Sequence, residues 1–127
     1  MPEVERNKTP KVVIIEDEQH LLEALRDQFE DSYDVKVFSS MDEALAWLDE
    51  EHSYDVIISD LNLPQKTGRD LYQHLKEKGH GAEKKIIFMT GGIFTAELSE
   101  WFASIPNYKF QKPFNINKLR ELLETMT

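Results

Sequence analysis

The sequence predicts a parallel α/β sheet covered by helices on both faces, and three observations carry that prediction. Short aliphatic runs alternate with helical periodicity along almost the whole chain. Val12–Ile15 is β-branched and unbroken by polar residues, as in a strand buried on both sides. Strict strand–helix alternation fills all but the first ten or so of 127 residues, the length of one domain.

Val12–Ile15 reads as the first strand, and Leu21, Leu22, Leu25 and Phe29 form the stripe of a helix over 18–31. Tyr33–Phe38 is a weaker second strand with some alternation. Ser40-Met41-Asp42-Glu43 is a capping box, opening a helix whose apolar face is Met41, Ala44, Leu45 and Leu48, with Trp47 beside it and partly exposed. Val56–Ile58 is the third strand; Leu63-Pro64 and Gly68 mark the loop after it. Leu71 and Leu75 anchor a third helix that stops near Gly79.

Ile86–Met89 is the fourth strand, broken by Gly91-Gly92. Thr95 caps a helix with Leu98, Trp101, Phe102 and Ile105 facing inward, which makes those aromatics core rather than a cofactor platform. Tyr108–Gln111 is a short fifth strand. Asn115 caps the last helix, with Phe114 and Leu119 as a hydrophobic staple and Ile116, Leu119, Leu123 and Met126 facing the core. Residues 1–10 read as a loose arm before a domain of 11–127.

Composition removes several classes of function. With no cysteine, disulfide scaffolds, thiolate metal sites and cysteine nucleophiles are excluded. No run approaches a membrane span and the N-terminus has no signal core, so a cytoplasmic, non-membrane domain is expected. The net charge is −9, and residues 1–63 carry 17 acids against 5 bases. Such a field works against direct nucleic-acid binding. His20, His52, His74 and His80 are scattered without paired ligand spacing and read as surface residues, as do Lys84 and Lys85.

Open α/β sheets bind ligands at the carboxyl ends of their strands. Strand one ends in Glu16-Asp17, strand three in Asp60, strand four in Thr90 and strand five in Lys112. If strands one and three are central neighbours, as in the order 2-1-3-4-5, three carboxylates converge beside a hydroxyl and an ammonium. Like charges so close call for a cation, most naturally Mg2+ with its preference for oxygen ligands. One carboxylate can then serve as nucleophile toward phosphorus, with the hydroxyl and ammonium on the phosphoryl oxygens. Each residue alone has a plainer reading: helix-dipole complements for Glu16 and Asp17, turn residues for Asp60 and Thr90, a surface lysine for Lys112. Their joint register at four strand ends favours the chemical one.

Ile15-Glu16-Asp17-Glu18, Ser59-Asp60-Leu61-Asn62-Leu63-Pro64 with Gly68, Met89-Thr90-Gly91 and Gln111-Lys112-Pro113-Phe114 resemble the signature of the two-component receiver domain, over about 11–127. The resemblance implies a flavodoxin-like (βα)5 three-layer sandwich in strand order 2-1-3-4-5. It implies that Asp60 accepts phosphate from the phosphohistidine of a histidine kinase or histidine phosphotransfer domain. Glu16, Asp17, Asp60 and the main-chain carbonyl of Asn62 would hold Mg2+, and Thr90 and Lys112 would contact the phosphoryl group. The Lys112–Pro113 peptide is expected to be cis. Such a domain signals by protein contacts as a monomer or weak dimer, and catalyses only its own phosphotransfer and dephosphorylation. Residues 88–95 and 105–107 resemble receivers at the C-terminus of hybrid sensor kinases.

Asn62 and Gly92 stand where the family tunes hydrolysis, and glycine there implies moderate to fast self-dephosphorylation. The usual aromatic switch position holds Lys109, expected at the surface near the fourth helix as a solvated residue. Rival readings are a Mg2+-dependent phosphohydrolase with an aspartate nucleophile, a flavodoxin-like binder, and a phosphorylation-independent interaction module. The phosphohydrolase needs a second acid where Asn62 stands; the binder needs a phosphate cradle where Glu16-Asp17-Glu18 would repel one; the module has no reason to keep the full set.

Overall fold

The computed structural model describes residues 9–50, 53–63, 65–92 and 95–127. The expectations placed on Met1–Lys8, His52, Pro64, Ile93 and Phe94 therefore lie outside the described residues.

The elements run β1 (Lys11–Ile15), α1 (Gln19–Phe29), β2 (Asp34–Phe38), α2 (Met41–Asp49), β3 (Val56–Asp60), α3 (Gly68–Glu77), a 3-10 turn (Ala82–Lys85), β4 (Ile86–Thr90), α4 (Ala96–Ser104), β5 (Lys109–Gln111) and α5 (Ile116–Met126). All strand pairings are parallel, in the order β2-β1-β3-β4-β5. The expected order and class are those observed.

Alternation along each strand sorts the core into two layers. Val13, Ile15, Ile57, Ile86 and Phe88 face α2, α3 and α4, meeting Leu45, Leu71, Leu75 and Phe102. Val12, Ile14, Val56, Ile58, Ile87 and Met89 face α1 and α5, meeting Leu22, Leu25, Phe29, Leu119 and Leu123. Every residue of β3 and β4 is buried, so these strands carry unbroken apolar runs up to their polar ends.

The helix starts are fixed by side chains. Ser40, Thr95 and Asn115 cap α2, α4 and α5 as expected, each contributing about 1 kcal/mol. The first helix is shorter than 18–31 because Glu18 is itself extended and takes the His20 and Leu21 amides on its carboxylate. At its far end the chain leaves the helix while the Ser32 and Tyr33 amides still bond to the Phe29 carbonyl. A capping box of Thr67 and Asp70 opens α3. Gly68 follows it because a Cβ there would lie 2.7 Å from the Phe88 ring and 3.1 Å from the Leu61 backbone. The loop from β3 thereby closes tightly onto the sheet, with the Gly68 amide on the Leu61 carbonyl at 2.8 Å.

Two surface expectations change. His74 is half-buried, and its Nε2 lies 2.7 Å from Asp49 Oδ1, which also takes Lys78 at 2.6 Å. Lys85 is not a solvated strand entrance: its ammonium donates to the Tyr54 carbonyl at 3.0 Å and sits 4.8 Å from that ring's centroid. Aromatic and carbonyl surfaces next to β-strands capture long cationic side chains in this way. Trp47 is half-buried against Phe38, as its place beside the stripe implies.

Candidate functional site

The register of the central strands brings the acids together. Ile15 pairs with Ser59 and Asp60 with Met89, so Glu16, Asp60 and Thr90 leave the sheet at one level. The ladder continues past the strands through Glu16 N–H to the Phe38 carbonyl at 3.0 Å and Lys112 N–H to the Thr90 carbonyl at 2.8 Å. One ligand oxygen from each of Glu16, Asp17 and Asp60 fits within 4.8 Å of the other two. Lys112 Nζ donates to Glu16 Oε1 at 2.8 Å and to Asp60 Oδ2 at 2.9 Å. The Lys112–Pro113 peptide is cis.

Glu16 is fully buried and Asp60 nearly so, while Asp17 is exposed and bonds to none of the described residues. Burial pushes the Glu16 carboxyl above its ordinary value, against the hydrogen bonds from Lys112 and the Glu18 amide. Burial alone would lower Lys112, but its bonds to Glu16 and Asp60 outweigh that and hold its pKa up. The cluster thus holds three carboxylates and one ammonium, an excess of two negative charges. The donor set is all oxygen, two acids enclosed and one open to water, which fits a hard divalent cation such as Mg2+.

Asn62 and Thr90 form a second, neutral cluster. The Asn62 amide N–H donates to Asp60 Oδ1 at 3.0 Å and fixes the turn after β3. Its side-chain Nδ2 donates to Thr90 Oγ1 at 3.1 Å and to the Gly92 carbonyl at 2.7 Å. The Thr90 hydroxyl donates to the same carbonyl at 2.8 Å and accepts the Gly92 amide at 3.0 Å. Gly92 has φ +155°, which side-chain-bearing residues rarely adopt, and open space where its Cβ would be. A bulky residue there would reshape the loop as well as cover the site.

All six residues expected at the site are thus placed at one end of the sheet, the three acids clustered and Lys112 bonded to Glu16 and Asp60. The resemblance placed the Asn62 side chain where hydrolysis is tuned, but its bonds to Thr90 and Gly92 were not foreseen. Its partners stand 28 and 30 residues away, and no local pattern reveals them. Lys109 is where the sequence places it, on the α4 side of β5, but it is not merely solvated. Its ammonium donates to the Ile105 carbonyl at 2.7 Å and the Asn107 carbonyl at 3.0 Å, 5.2 Å from the Phe102 ring centroid.

A family model for the response regulator receiver domain matches residues 12–124. The chain belongs to that family. As a receiver domain it is a signalling module of two-component systems, in a family that binds Mg2+ at an acidic pocket and works with kinase or phosphotransfer partners. The response regulator Rre1 of Synechocystis is 24% identical over 116 residues, covering 91% of this chain and 50% of Rre1. The chain spans half or less of the curated relatives it matches. The response regulator TrrA of Thermotoga maritima, solved with Mg2+ and BeF, shares the fold at a TM-score of 0.72 and 24% identity, covering 93% of this chain and 99% of that one. The receiver of the hybrid histidine kinase CckA does so at 0.72 and 19%, covering 91% and 97%. No helix among the described residues is long and apolar enough to cross a membrane.

Proposed function

We propose that Asp60 is the phosphoacceptor of this receiver domain, with 11–127 as the receiver and 1–10 as an arm. The observation that supports it is the Asp60 carboxylate held 2.9 Å from Lys112 Nζ inside the acidic cluster. Glu16, Asp17, Asp60 and the Asn62 main-chain carbonyl would hold Mg2+. The ion supplies neutralisation of the phosphoryl oxygens and of the clustered acids.

The remaining steps belong to the chain's own residues. An Asp60 oxygen forms the new P–O bond as the P–N bond to the donor imidazole breaks and its electron pair returns to the nitrogen. Lys112 meets charge on the phosphoryl oxygens, and the Thr90 hydroxyl donates to another of them. Asn62 has an amide where a turnover phosphatase needs an acid, so the product is a phosphorylated protein that persists long enough to be read by a partner. The donor is a histidine kinase or a histidine phosphotransfer domain, and the chain acts as a monomer or weak dimer.

Acetyl phosphate with Mg2+ should add one acid-stable, base-labile phosphoryl group by intact mass. Asp60→Asn should abolish it. An adduct that survives in Asp60→Asn would reject the assignment.

A further inference from the structure

The Asn62 side chain closes a set of hydrogen bonds in which neither its own Nδ2 nor the Thr90 hydroxyl has a position left. A hydroxyl offers one donor and two acceptor positions, and Thr90 Oγ1 has all three in use: it donates to the Gly92 carbonyl and accepts from the Gly92 amide and from Asn62. Asn62 Nδ2 has two hydrogens and two acceptors, Thr90 Oγ1 and the Gly92 carbonyl. The orientation of the amide is fixed by that carbonyl, which has no proton to give. Thr90 is buried, and the whole cluster is at most partly open to water.

We propose that Asn62 is a positioning residue that latches Thr90 and Gly92 in the unphosphorylated arrangement, so that receiving a phosphoryl group requires the latch to open. The inference rests on Asp60 being the phosphoacceptor and on Thr90 answering its phosphoryl oxygens. Thr90 has a single hydrogen, now committed to the Gly92 carbonyl at 2.8 Å. To donate it to a phosphoryl oxygen the hydroxyl must turn from that carbonyl, and its bonds with Asn62 and the Gly92 amide turn with it. The Gly92 backbone can follow, since glycine pays no Cβ penalty in leaving φ +155°. Asn62 therefore stabilises the resting state and not the phosphorylated one, and a ligand shifts such an equilibrium only by its differential affinity for the two states.

The consequence is opposite to that of an ordinary site residue: removing the side chain should strengthen phosphoryl-analogue binding. Loss of the two Asn62 bonds from the resting state should tighten beryllium trifluoride binding, in saturating Mg2+, on the order of tenfold. Asn62→Ala and the near-isosteric Asn62→Leu both keep the main-chain carbonyl. Each would be titrated beside the unaltered protein while the Thr90 and Gly92 amide signals are followed by NMR, with a cooperative melt confirming the fold. In the analogue-free variants those two signals should already stand part of the way toward their bound positions. Equal or weaker binding in a folded variant, with both signals at their resting positions, would overturn the latch while leaving the phosphoacceptor assignment intact. If the unaltered protein takes up no analogue at all, the phosphoacceptor reading fails and the latch fails with it.

Discussion

At the β1 and β3 ends of the sheet, three carboxylates cluster and two of them share one ammonium; at the β4 end, a hydroxyl, an amide and a glycine backbone close on one another. The first cluster has more charge than its partners can neutralise and is completed by something from outside. In the second, the Thr90 hydroxyl and the Asn62 Nδ2 have every position in use, and on the proposed reading those bonds open before Thr90 can take part. The difference teaches that one end of a single sheet can hold both an electrostatic demand and a mechanical resistance, built from strands that lie side by side. On the proposed reading, the demand draws in a cation, and the cation in turn lets an anionic phosphoryl group approach. Under the proposed latch, phosphoryl binding becomes a movement at Thr90 and Gly92.

The largest expected effect tests the demand. Mg2+ should stabilise the protein by about 2.7 kcal/mol at a hundredfold excess over Kd, a melting shift on the order of 10 °C. Asp17→Asn should remove most of that shift, since Asp17 is the exposed acid with no protein partner among the described residues. A melt that ignores Mg2+ up to high millimolar concentrations would place the imbalance elsewhere.

A smaller effect sharpens the same side. The folded, metal-free protein holds the Glu16 proton to a higher pH than the unfolded chain does, because burial raises that carboxyl above its ordinary 4.5. The native state then binds more protons than the unfolded state, and stability falls as pH rises from 4.5 through the folded value. Denaturant melts in chelator across that window should show the decline, and Glu16→Gln should flatten it. A stability that climbs with pH through the same window in the unaltered protein, by way of this residue, would reverse the sign.

The smallest effect concerns β5. Lys109 is tied to the Ile105 and Asn107 carbonyls and lies over Phe102, but it is largely exposed. Lys109→Ala should cost about 0.5–1 kcal/mol by chemical denaturation, with the phosphoryl yield from acetyl phosphate unchanged. A loss of yield would join β5 to the reacting side of the comparison.

The same division explains what could be read from the chain alone. The site was legible because Glu16-Asp17, Asp60, Thr90 and Lys112 stand at or just past the ends of predicted strands, and strand ends in a parallel sheet share a level. The latch was not, because an Asn62 amide reaching Gly92 is a contact made by the third dimension. Lys109 is an intermediate case. Strand alternation set its face, while the two carbonyls that hold its ammonium come from the turn after α4 and depend on how that turn closes. Asn107 shapes that turn, buried with its amide on the Glu83 and Ile86 carbonyls at 2.9 Å each, a contact that its place in the 105–107 resemblance did not reveal. The Thr67–Asp70 box, by contrast, is a cap pattern legible in the sequence.

One measurement bears most directly on the division between a demanding end and a resisting one. Amide spectra would be taken of the 15N-labelled protein with Mg2+, before and after beryllium trifluoride. The expected result is large displacement at residues 60–62, 90–92 and 112, with Tyr108 and Lys109 nearly still. Large displacement at Tyr108 and Lys109 with residues 90–92 unmoved would contradict it.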